Sequence, residues 1–141
     1  SDLRNAGWGP LTYTVGTSAT SDFPAYQWKD VNNPTTVHFV LTAARLGART
    51  VRIGISAAFA GGRPQLTVNG WTSAAPAPST QPSSRSLTIG TYRGNNALYT
   101  YAVPASAFVA GTNTMTITVI SGSSGVGFLS PGYGYDCVEM F

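Results

Sequence analysis

The run Thr114-Met115-Thr116-Ile117-Thr118-Val119 decides the fold. Apolar and polar residues alternate strictly, so every second side chain falls on one face of an extended chain, which is the period of a strand. The same period recurs on both sides of it. Val37, Phe39 and Leu41 share one face, as do Val51, Ile53 and Ile55, and Leu66 with Val68. Tyr13 and Val15 mark an early strand, Tyr99–Val103 a later one and Tyr135–Phe141 the last. Thr, Ser and Arg fill many alternate positions, as expected of sheets with one face on a core and one on water.

Between these runs stand turn formers at short intervals: Asn32-Asn33-Pro34, Gly61-Gly62, Asn69-Gly70, Gly94-Asn95-Asn96, Gly111 and Gly122–Gly127. Only Thr42–Leu46 and Pro104–Phe108 could be helical, each for about one turn. Many short strands, Gly/Pro turns and no long helix predict an all-β sandwich or jelly roll. The Pro- and Ser-rich stretch Ala74–Ser84 reads as a loop crossing between sheets. The strands on either side of it are too few to fold apart, so residues 1–141 form one domain.

A chain of 141 residues can bury a core without staples. It is 43% hydrophobic but only 9% charged, against roughly 25% charged in an average domain. Its polar surface must therefore be built from Ser, Thr, Asn and Gly. The net charge of +3 is too small and too scattered for a nucleic-acid binder. No apolar run is long enough for a membrane-crossing helix. Cys137 is alone, so no intrachain disulfide forms, and its hydrophobic surroundings suggest an inert buried thiol. No signal peptide precedes Ser1, which opens the chain as an excised or processed product would.

Templates for catalysis fail one by one. Glycoside hydrolysis needs two carboxylates facing each other, yet Asp136 and Glu139 point to opposite faces of a strand, and nothing forces Asp22 toward Asp30. A serine hydrolase would need His38, the one histidine, which sits mid-strand between Val37 and Phe39. Gly122-Ser123-Ser124-Gly125 misses the nucleophile-elbow pattern. One His and one Cys make zinc a poor fit. Lys29 and His38, the bases a lyase could use, are not grouped.

Aromatic residues remain, at 11% of the chain. Sugar rings stack their C–H faces on flat side chains while amides and guanidiniums bond the hydroxyls. Trp71 follows the Asn69-Gly70 turn; Tyr92, Arg93 and Asn95 share another turn; Trp28 precedes Asn32-Asn33; and Tyr133 enters the last strand. With Arg63, whose fork suits a uronate carboxylate, these are the candidate carbohydrate-binding residues. The plainer alternative for each is a loop aromatic packed on the sandwich edge, or an arginine tied to loop carbonyls. Asp136, flanked by apolar residues, and Asp30, beside Asn32 and Asn33, are candidate ligands for a structural Ca²⁺, although no cofactor is required.

Several longer segments carry a family likeness: Gln27-Trp-Lys-Asp-Val-Asn-Asn-Pro, Ala58-Phe-Ala-Gly-Gly-Arg-Pro-Gln, Val68-Asn-Gly-Trp, Tyr92-Arg-Gly-Asn, Ala110-Gly-Thr-Asn-Thr, and Leu129-Ser-Pro-Gly followed by Tyr135-Asp-Cys-Val-Glu. In that order, from about Tyr13 to Phe141, the chain resembles the C-terminal domain of fungal-type rhamnogalacturonan lyases. The resemblance implies a jelly-roll β-sandwich of two antiparallel sheets, similar to carbohydrate-binding modules, in a secreted, extracellular enzyme that cleaves pectin. The family's catalytic residues lie in another domain, so none is carried over here. The expectation is a monomeric, non-catalytic carbohydrate-binding module. Its partners are plant cell-wall polysaccharide of the pectin or rhamnogalacturonan type and the catalytic domain of the parent enzyme, with no nucleic acid and no membrane. The alternative is a structural accessory domain without sugar affinity.

Overall fold

Alternation becomes strand almost everywhere it was read. The computed structural model describes residues 9–78 and 97–141. Among them the strands are β1 (Leu11–Thr14), β2 (Tyr26–Trp28), β3 (Thr35–Leu41), β4 (Arg49–Phe59), β5 (Arg63–Val68), β6 (Trp71–Thr72), β7 (Ala97–Val103), β8 (Gly111–Ile120) and β9 (Gly132–Met140). The two predicted helical turns are short 3-10 turns at Ala43–Arg45 and Ala105–Ala107. Two further turns of this kind, Thr20–Asp22 and Gly127–Leu129, were not legible from the pattern.

The strands make two sheets, in the orders β1-β3-β8-β5-β6 and β2-β9-β4-β7. Pairing is antiparallel throughout except that β1 runs parallel to β3. The inward positions are those the period picks out. Val37, Phe39, Met115, Ile117, Leu66 and Val68 from one sheet meet Val51, Ile53, Ile55, Tyr101 and Val103 from the other, all buried. Each fully buried aliphatic side chain contributes about 1.5–3 kcal/mol over its exposed state. On the outer face of the larger sheet, Thr12, Thr36, Thr116, Thr67 and Thr72 fall in register across all five strands. Threonine suits strands and brings a hydroxyl to water, which is how a chain with so few charges builds a polar surface.

Two hydrogen-bonded links cross the core. Fully buried Gln27 on β2 donates Nε2 to the Ile117 carbonyl of β8 and to Asn33 Oδ1, both at 2.9 Å. Its Oε1 accepts from the hydroxyls of Thr35 on β3 and of Tyr133 and Tyr135 on β9. On the other side of the sandwich the Tyr101 hydroxyl of β7 donates to the Pro64 carbonyl of β5. Buried polar groups must be paired to be tolerated, and here the pairing fixes how one sheet sits on the other.

Replacing Gln27 by Leu removes five partners at once and leaves them dry. We expect a loss of about 3 kcal/mol, or on the order of 10 °C in Tm, measured by thermal unfolding. Burial also pushes the phenols of Tyr101, Tyr133 and Tyr135 above the usual value of 10. A group raised in the folded state loses its proton first in the unfolded chain. Its contribution to stability is complete below pH 10 and is lost as pH rises beyond it. An absorbance titration should show these three phenols ionising only as the domain unfolds.

Candidate functional site

The predicted site residues do not gather in one place. Trp28 is 3% exposed and Tyr133 is fully buried. The Trp28 ring lies edge-on between Phe59 and Phe128, with centroids 6.2 and 6.1 Å away, and Tyr133 packs on Tyr135 and bonds Gln27. Neither presents a face to a glycan, which corrects the expectation that placed them in the site. The cause is β2: a three-residue strand too short to show a period draws Trp28 inward beside Gln27, where the sequence suggested only a turn.

Tyr92, Arg93 and Asn95 lie outside the described residues. Trp71 and Arg63 are described, and both belong to the same edge of the larger sheet. Asn69 adopts φ 50° in the two-residue hairpin that pairs Val68 with Trp71, the left-handed geometry such hairpins need. Trp71 therefore shares the inward side of Val68, packs against the core and stays half-buried at the edge. From there the chain runs back beside β5. The Ser73 amide bonds the Leu66 carbonyl, Gln65 Nε2 the Ser73 carbonyl at 3.0 Å, and Arg63 Nε the Pro76 carbonyl at 2.7 Å. Arg63 Nη1 is taken by the Gly61 carbonyl at 3.0 Å. Two of the three nitrogens of this guanidinium hold the loop, as the plainer alternative foresaw.

The segments that carried the family likeness turn out to be largely architectural. Ala60 and Gly61 take φ 53° and 69° where the chain passes from β4 in one sheet to β5 in the other. A Cβ on Gly62 would sit 2.5 Å from the Gly132 carbonyl oxygen, so only glycine lets these two backbones touch. Fully buried Asn113 bonds the Val109 amide and the Val109 and Gly111 carbonyls. It also accepts from Asn69 Nδ2 at 3.0 Å. Buried Ser130 accepts the Asp30 amide and donates to the Gly127 carbonyl.

The metal candidates separate as well. Beside Asp30, the side-chain oxygens of both asparagines point inward. Asn32 Oδ1 accepts the Trp28 amide, and Asn33 Oδ1 accepts the Val119 amide and Gln27 Nε2. The oxygen cluster read there is already used. Asp136 is not enclosed by apolar neighbours but exposed, at a bulge where the β4–β9 register shifts. It lies four residues along β9 from Gly132, the partner of Trp28, or about 13 Å from where the Asp30 turn leaves the sheet. Among the described residues no three His, Cys, Asp or Glu side chains converge. His38 Nδ1 pairs with Thr114 Oγ1 at 3.1 Å, and Asp22 takes the Ala19 amide. Cys137 is half-buried, with its Sγ against Gly54.

The fold is a two-sheet β-sandwich. A family model described as "CBM-like: Polysaccharide lyase family 4, domain III" matches residues 1–140, and the chain belongs to that family. The whole chain is 55% identical to part of rhamnogalacturonate lyase A of Aspergillus aculeatus and 52% identical to part of rhamnogalacturonate lyase A of Emericella nidulans. It spans 27% of the length of each. No helix among the described residues is long and apolar enough to cross a membrane.

An architectural role for the glycine motif has a direct consequence. Gly62→Ala should cost about 2–3 kcal/mol through overpacking against Gly132, seen as a lower denaturation midpoint. It should leave any ligand affinity of the folded fraction unchanged.

Proposed function

We propose that this domain is a non-catalytic carbohydrate-binding module of a secreted, pectin-degrading enzyme of the rhamnogalacturonan lyase type. In this reading it meets the polysaccharide at the β6–β7 side of the sandwich. The observation that carries the proposal is the placement of Trp71. Of the two tryptophans described, Trp28 is enclosed while Trp71 keeps part of its ring at an edge. The chain from that edge to β7 contains the sequence Tyr92-Arg93-Gly94-Asn95. Aromatic rings together with guanidinium and amide donors are the chemistry that binds a uronate-bearing chain.

The same placement limits what the domain would do to its ligand. His38 lies on the outer face of the larger sheet, bonded to Thr114. Asp136 and Glu139 lie along β9, in the other sheet. Acid–base chemistry needs such groups within hydrogen-bond reach of one substrate atom, and His38 lies in the opposite sheet from the two carboxylates. Binding without turnover is the function this supports, with the catalytic domain of the parent enzyme and pectic polysaccharide as partners.

Calorimetry or affinity electrophoresis against rhamnogalacturonan, homogalacturonan, galactan and xylan tests the proposal. A pectic ligand should bind, and Trp71→Ala should weaken it roughly ten-fold in a variant that still unfolds cooperatively. Arg93→Ala should weaken it less and flatten its salt dependence. No binding across the panel would refute the reading, and unsaturated uronide released by this chain alone would refute the non-catalytic part.

A further inference from the structure

The two sheets do not close along the side opposite Trp71. β1 has four residues and pairs β3 only as far as His38, with one further bond from the Val15 amide to the His38 carbonyl. β2 has three residues and pairs β9 only over Gly132–Gly134, with one further bond from the Tyr135 amide to the Ala25 carbonyl. Beyond those points, among the described residues, β3 pairs only with β8 over Phe39–Leu41, and β9 only with β4 over 137–140. Two strand edges therefore face the same seam with half their backbone groups directed outward. Between them runs a groove of about 640 Å³. Phe39, Leu41, Met115, Val138 and Met140 line it from within, Val15 and Val40 stand on its rim at 57% and 71% exposure, and Asp136 and Glu139 stand on the β9 side.

A long apolar groove bounded by strand edges that no described residue pairs is a hazard unless something covers it. Such edges are met by an extended segment that adds a strand, with main-chain bonds giving affinity and alternate side chains filling the groove. The relatives continue for nearly three times the length of this chain beyond the part it matches, and the family describes this unit as one domain among others. We propose that this seam is the docking site for an extended segment of the same longer polypeptide, from outside these 141 residues. That segment would pair with the edge of β9 or β3 and place alternate apolar side chains in the groove. The inference is independent of sugar binding, which the β6–β7 side would serve.

The test compares the 141-residue chain with a chimera in which it replaces the matching segment of the Aspergillus aculeatus lyase. Hydrogen exchange at the outward amides of residues 137–140 and 39–41 should be at least ten-fold slower in the chimera. Val40→Asp and Val15→Asp, both on the exposed rim, should leave the Tm of the chain alone within about 2 °C and lower that of the chimera by several degrees. Rhamnogalacturonan affinity should be the same in both variants. Equal exchange in chain and chimera, or equal Tm changes, would overturn the docking site. Chemical shifts at these residues on adding rhamnogalacturonan oligosaccharide to the chain alone would overturn it too, by giving the groove to sugar. A seam that docks and a chain that binds no sugar would instead refute only the sugar-binding role.

Discussion

The structure depends on one buried amide. Gln27 has no exposed surface, yet it bonds groups from β3, β8 and β9 and the Asn33 turn. Hydrophobic burial drives the two sheets together, but it is non-directional and would tolerate several relative positions. A side chain that must satisfy donors and acceptors on both sheets admits one. The aromatic packing around it follows: Tyr133 and Tyr135 are held with their hydroxyls on Gln27, and Phe23 closes on Tyr135 with ring centroids 5.2 Å apart. The low charge of the chain makes this arrangement more important, because few ion pairs are available to fix geometry. The Arg52–Glu139 pair is 3.8 Å apart and solvent-exposed, and such pairs contribute little.

The fold was legible wherever a strand was long enough to show its period. β3, β4, β5 and β8 each carry three or more alternations or a clear pair, and their inward residues were read correctly down to the side chain. β2 was not legible, because three residues display no period and Gln27-Trp28 reads as polar–apolar in any conformation. The parallel β1–β3 pair was missed for a related reason. Strand direction is set by the connection through residues 15–34, whose turn chemistry says nothing of which partner the strand will choose. The crossing at Ala60–Gly62 was seen as a turn, but not as the point where the chain changes sheets.

The candidate site was less legible than the fold, and the reason is physical. Tryptophan and tyrosine serve equally as core and as platform, and only their neighbours decide. Trp28 becomes core because Phe59 and Phe128 close over it, contacts between residues about 30 and 100 positions away in sequence. Trp71 stays at an edge because a two-residue hairpin ends the sheet there. The motifs shared with the family led in a similar direction. Gly62, Asn69 and Asn113 are constrained by close backbone approach and by buried hydrogen bonds, so sharing them speaks for a common architecture. Of the shared segments on described residues, only Val68-Asn-Gly-Trp ends in a side chain suited to a ligand.

With the polar network inside and sugar recognition proposed at one edge, stability and binding would be separable in this domain. The most direct test of that separation is the indole N–H resonances of the ¹⁵N-labelled chain during titration with rhamnogalacturonan oligosaccharides. The Trp71 resonance should shift with saturation while that of Trp28 stays fixed. A stationary Trp71, or a Trp28 resonance that moves with the ligand, would contradict it.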